Sequence, residues 1–191
     1  LEFVKDIELA DLYRELGITE DAQGEECIYL RMMDSDERAE YHLTSGANSV
    51  APANGARVVT AKLDTLAGTI EHVIYRLHLA QIVLVPVGKW RNVFDAIAFS
   101  MASNEDWQEI DAAATVELNT RDPLLCDASD FPLLIELVNA LLNDAESPEQ
   151  GLYMLTGGVP LLIEVIPNGA VNISIGSPQV ADEIDDIVSP A

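Results

Sequence analysis

Apolar residues recur every three or four positions through Leu63, Leu66, Ile70, Ile74 and Leu77, with Val73 beside them. That period predicts a helix with a single core-facing stripe. A second helix is predicted from Trp90 to about Ala102, with Trp90, Val93, Phe94, Ile97 and Met101 on its inner face. The clearest begins at Asp130, a good N-cap, and buries Leu134, Leu137, Val138, Leu141 and Leu142. Pro132 fits its first turn and Pro148 follows its end. Ser103 with Asp106 caps a short helix carrying Trp107 and Ile110, and a looser helical period runs from Phe3 to Leu16, stopping at Gly17.

Elsewhere the pattern has period two. Ile28, Leu30 and Met32 share a face in Cys27 to Met33, as do Ala39, Tyr41 and Leu43 in Arg38 to Thr44. The Asp34-Ser35-Asp36-Glu37 stretch between them has turn chemistry, so these two strands are expected to form a hairpin, with His42 on its outer face. Gln81 to Gly88 is apolar and β-branched throughout, as a strand buried on both faces would be; Pro86 then belongs at its end or at an edge. Thr115 to Asn119 reads as a half-buried strand and Leu152 to Leu155 as another. Leu161 to Ile166 and Ala170 to Ile175 flank Pro167-Asn168-Gly169, a strong hairpin signal, with Asn172 and Ser174 on a wet face. The tail from Pro178 reads either as a short amphipathic helix or as a frayed end.

Two hairpins with central strands and intervening helices predict an α+β fold, with a mainly antiparallel or mixed sheet and helices packed on one face. The expected organisation is an N-terminal helix and hairpin over 1–44, a loop or linker over 45–57, a main body over 58–177 and an acidic tail over 178–191. One single domain overall is the other reading. At 191 residues and 49% hydrophobic, the chain buries enough surface to fold without a metal or disulfide. No apolar run approaches the ~18 residues of a membrane span. Cys27 and Cys126 belong to no CxxC or Cys/His cluster, which points to reduced thiols in a cytoplasmic protein and leaves a single bridge between them open. The sequence opens on Leu1 rather than methionine, so the lack of a leader says little about location.

Charge changes the picture most. The net charge is −23, and its distribution is uneven: residues 1–43 hold 13 acids and 4 bases, residues 44–103 hold 3 and 5, and residues 104–191 hold 17 and 1. Such a field repels nucleic-acid phosphates and anionic membranes and favours a basic protein partner. A salt-adapted host proteome gives the same composition. Oligomeric state is not legible.

Chemistry is sparse. Val87-Gly88-Lys89-Trp90-Arg91-Asn92 takes a strand into a helix, where backbone N–H groups attract anions and two cations stand close by. It is not a P-loop, since Val83 stands where that motif needs glycine and Trp90 where it needs Ser or Thr. Gly88, Lys89 and Arg91, with Arg57 and Arg76, are the anion-binding candidates, on the expectation that the scarce cations gather in space. His72 and His78 are six apart and lack metal-ligand spacing. Asp122 and Asp127 flank Cys126 and would raise rather than lower its thiol pKa. No metal or cofactor is expected, and no catalytic set is identified from the residues. The leading expectation is a non-enzymatic binding or regulatory module with acidic surfaces for a basic protein partner; the alternative is a small-molecule enzyme or ligand-binding protein with its anion site near Lys89 and Arg91.

Overall fold

A mostly antiparallel sheet of eight strands organises the chain, in the computed structural model, which describes residues 1–5, 8–23, 26–33, 35–44, 57–60, 63–114 and 117–188. In chain order the elements are β1 (Glu2–Phe3), α1 (Leu9–Leu16), β2 (Ile18–Gln23), β3 (Cys27–Met32), β4 (Ala39–Thr44), β5 (Arg57–Thr60), α2 (Leu63–Arg76), β6 (Gln81–Pro86), α3 (Trp90–Ile97), α4 (Glu105–Ala113), β7 (Leu124–Asp127), α5 (Phe131–Asp144), β8 (Leu152–Leu155), β9 (Leu161–Ile166), β10 (Ala170–Ile175) and α6 (Pro178–Val188). The strand order is β1-β7-β6-β8-β9-β10-β4-β5, antiparallel throughout except for the parallel pair β4–β5. β2 and β3 form a separate two-stranded antiparallel ribbon. The fold is therefore α+β.

Period-two alternation decides what each face carries. Ile82, Leu84, Leu152, Met154, Leu161, Ile163, Val165, Val171, Ile173 and Ile175 project into one buried cluster with residues of α2 to α6. Trp90, Phe94 and Trp107 add an aromatic group there, with the last two rings 4.5 Å apart. On the opposite face, Val83, Val85, Tyr153, Leu155 and Leu162 pack against Tyr13 and Leu16 of α1 and against Ile18, Leu30 and Met32 of the ribbon. This second cover explains why β6 is apolar on both sides. Among the described residues it reaches β6, β8 and β9, whereas the outward positions of β10 and β4 are polar apart from Ala170: Asn172, Ser174, Glu40, His42 and Thr44.

The turn at Asn168 and Gly169 is made as its chemistry requires, both residues having positive φ (72° and 85°). Pro86 does lie at a strand end, in register with Leu152. The tail is a helix, α6, held by buried Ile184 and Val188.

Several expectations need correction. Cys27–Met32 does not pair with Ala39–Thr44: β3 pairs with β2, whose Ile-Thr-Glu-Asp-Ala-Gln sequence has no apolar alternation to announce it, and β4 pairs with β10 and β5. Ser35, Asp36 and Glu37, the described residues of the expected turn, lie between the covering ribbon and the sheet. The first helix starts at Leu9, because Phe3 is in β1, paired with β7 and edge-on to Trp90 at 6.0 Å. Of the strand expected over Thr115 to Asn119, the described part is a 3-10 turn at Glu117–Asn119, and the strand comes later, as β7. Asn104, not Ser103, caps α4, its side chain accepting from the Trp107 N–H at 3.0 Å. The loop expected at 45–57 lies, apart from Arg57, outside the described residues. β1 and β4, from the segment read as an N-terminal unit, are strands of the main sheet.

Candidate functional site

Of the five anion-site candidates, Gly88, Lys89 and Arg91 share the start of α3, and Arg76 and Arg57 lie on other elements. Lys89 and Arg91 sit exposed at the start of α3, where Arg91 Nε donates to Asn119 Oδ1 at 3.2 Å. The first helical N–H, that of Trp90, donates to the Thr120 carbonyl at 3.3 Å, and the Gly88 carbonyl accepts from Arg121 Nε at 2.9 Å. Arg76 ends α2 and pairs with Glu183 (2.5 Å) and Asp186 (3.4 Å) of α6. The six residues of β6 separate it from Lys89, about 20 Å of strand. Arg57 opens β5, five strands from β6 in the sheet, or about 24 Å. Lys89 and Arg91 thus remain a local pair, and Arg57 and Arg76 do not join them.

What does converge is a row of polar side chains across four neighbouring strands on the sheet face that carries α1 and the ribbon. In register, Tyr153 of β8 faces Glu164 of β9, Glu164 faces Asn172 of β10, and Asn172 faces His42 of β4. Each is bonded to the next. The Tyr153 hydroxyl donates to Glu164 Oε1 and Asn172 Nδ2 donates to Glu164 Oε2, both at 3.3 Å. His42 Nδ1, 2.5 Å from Asn172 Oδ1, carries its proton toward that oxygen. His42 is only 2% exposed, and its Nε2 has no hydrogen-bond partner among the described residues. One row along, the Ser174 hydroxyl donates to Glu40 Oε1 at 3.2 Å, and Glu40 is ion-paired with Arg38.

Beside this row the ribbon stands off the sheet and leaves a cleft of about 250 Å³, lined among others by Tyr29, Arg38, Glu40, Tyr153, Glu164 and Asn172. Burial pushes the Glu164 carboxyl above the usual carboxylate range, against the opposing pull of hydrogen bonds from Asn172 and Tyr153. Burial, with Glu164 adding to it, holds the Tyr153 hydroxyl far above its ordinary value, and Tyr29 is raised by burial first. Both phenols are therefore neutral near pH 7. The sequence signal for this site was a lone glutamate in the otherwise apolar Leu-Leu-Ile-Glu-Val-Ile of β9. That signal names no partner, because pairing four distant strands side by side is a property of topology. His42 does face away from the helices, as expected of its strand, but it is buried rather than exposed.

Cys27 and Cys126 are free thiols. Cys126 is pushed up to about 12, by burial foremost and by Asp130 and Asp127 in addition, so the expected raised direction holds, with Asp127 but not Asp122 contributing and desolvation the larger cause. Among the described residues no group of three or more His, Cys, Asp and Glu side chains is placed to hold a metal ion, and no helix is long and apolar enough to cross a membrane.

The other charged feature is the helical layer. α3 to α6 together hold 11 acidic residues and one basic residue, Arg91. On α4 the side chains of Glu105, Asp106, Glu109 and Asp111 are all exposed. Comparison with protein-family models, with curated proteins and with solved structures finds no match to this chain.

Proposed function

We propose that this chain is a non-enzymatic binding module whose acidic helical layer engages a basic protein partner. The observation that carries it is the composition of α3 to α6, with 11 carboxylates against one guanidinium, alongside Arg76 of α2, which is already paired with carboxylates of α6. Charges of one sign on one layer raise the potential over that face by several kT, which steers an oppositely charged partner and speeds its encounter. The same field disfavours nucleic acid and anionic lipid.

The test is binding of an oligolysine peptide at increasing salt. Neutralising Glu105, Asp106, Glu109 and Asp111 of α4 to their amides should weaken binding and flatten its salt dependence. Neutralising four exposed carboxylates elsewhere, Glu8, Asp11, Glu20 and Glu37, is the control. Equal losses from the two variants would reject a dedicated helical face and leave only a general acidic coat.

The alternative, an anionic small molecule held near Lys89 and Arg91, has less behind it. Arg57 and Arg76 lie apart from Lys89 and Arg91, and the first N–H of α3 is already bonded to the Thr120 carbonyl.

A further inference from the structure

The cleft on the opposite face of the sheet has chemistry that the helical layer does not share. Its floor is the Glu164 carboxyl, part-buried, with one hydrogen bond to each oxygen at 3.3 Å. A carboxylate offers about four acceptor positions, so about half remain open among the described residues. Tyr29 and Tyr153 line the same space, close enough to Glu164 that its charge acts on both hydroxyls. Neutral phenol rings present electron-rich faces that attract organic cations. At the other wall the Arg38 guanidinium is ion-paired with Glu40, and Ser174 donates to the same carboxylate, so that pair is internally neutral. Asp21 and Arg31, both exposed, stand at the rim. Glu164, by contrast, has no Arg or Lys ion-paired with it among the described residues, and the positive influence on it comes from His42, beyond Asn172.

A group removed from water in this way favours a ligand that supplies the missing charge. The volume, about 250 Å³, lies at the small end of ligand sites and suits a molecule of on the order of 10 non-hydrogen atoms. We propose that the outer-face cleft binds a small organic ammonium ion, its cation seated against the Glu164 carboxylate with half-buried Tyr29 as the aromatic wall, Tyr153 being only 1% exposed beneath it. Asn172 and His42 act as positioning residues. Asn172 donates to Glu164 with its Nδ2, and the His42 Nδ1 proton fixes the Asn172 amide in the orientation that allows it.

The experiment is an NMR titration of the full chain, following backbone amides, with n-propylammonium and tetramethylammonium chlorides as probes and sodium propionate as the charge-reversed control. Saturable shifts are expected at Tyr29, Glu164 and Asn172 with the two cations, and none with propionate. Glu164→Gln should weaken cation binding about tenfold or more, the loss of a charge-assisted contact in a partly desolvated site. Tyr29→Leu, on the half-exposed ribbon, should weaken it about threefold or more and serves as the deciding variant if Glu164→Gln does not fold. Affinity unchanged in a folded Glu164→Gln or in Tyr29→Leu, shifts of the same residues by propionate, or cation shifts confined to α4 and α6 would each overturn the proposal. Glu164→Gln leaves every carboxylate of α3 to α6 in place, so failure here is distinguishable from failure of the helical-face reading.

Discussion

Replacing Gly88 by alanine tests how the junction between β6 and α3 is built. A Cβ at this position would lie 2.7 Å from Asn92 Nδ2, 2.8 Å from the Glu149 carbonyl oxygen and 3.0 Å from the Glu149 Cβ. The Asn92 amide can swing aside. The Glu149 main chain is less free, because the 3-10 turn Pro148–Gln150 is closed by Gln150 N–H to the Ser147 carbonyl (3.0 Å) and Gly151 N–H to the Pro148 carbonyl (3.1 Å). The Val87 N–H binds the Gly151 carbonyl at 3.0 Å, and Arg121 holds the Gly88 carbonyl at 2.9 Å, so neither side yields without breaking a hydrogen bond. Overpacking of this kind costs about 2–3 kcal/mol. For a chain of this length each kcal/mol moves Tm by roughly 2–4 °C, so a fall of about 5–10 °C is expected. Urea unfolding should show a lower midpoint at unchanged slope. Gly157→Ala is the control, since nothing lies within 4 Å of a Cβ there. A Gly88→Ala protein within about 1 °C of wild type, or a loss matched by Gly157→Ala, would refute the reasoning.

Two further outcomes follow from burial. Because Glu164 titrates above the ordinary carboxylate range when folded, the native state holds more protons than the unfolded state between the two pKa values. Its contribution to stability is thus complete at low pH, declines as pH rises through the unfolded value and is gone above the folded one. Urea unfolding from about pH 4 to about pH 8 should show Glu164→Gln gaining on wild type as pH rises; a constant difference would contradict it. With Cys126 buried and pushed up to about 12, a thiol reagent at about pH 8 should modify half-buried Cys27 first and Cys126 only on unfolding. Two equally fast thiols in the native protein would exclude that burial.

The long apolar periods were legible in advance because they report local geometry. α2, α5, β6 and the β9–β10 turn fall where Leu63 to Leu77, Leu134 to Leu142, Gln81 to Gly88 and Asn168-Gly169 placed them. β2 was not legible, because Glu20 and Asp21 face water on a ribbon whose burial is supplied by its partner. The β3–β4 hairpin was wrong because turn chemistry specifies a change of direction without specifying which strand is then met. Gly88 illustrates the same limit at the level of a site: a glycine before a helix suggested anion contact, whereas its close approach to the Glu149 main chain is a packing demand. The cleft was invisible for a related reason. Glu164, Asn172 and His42 become neighbours only once β9, β10 and β4 are laid side by side.

The position of β4 between β10 and β5 has a consequence for how the protein is made. His42 and Asn172, bonded across the β4–β10 seam, are 130 residues apart. At translation rates of about 5–20 residues per second, the ribosome needs on the order of 10 s to deliver the second after the first. Throughout that interval the emerging β4 presents Tyr41 and Leu43 with no β10 to receive them, a stretch that a holding chaperone would cover. The seam therefore closes late, and any chain terminated ahead of Ala170 would carry α1 to α5 in its sequence yet lack α6, the strand that locks the sheet and the amide that orients His42.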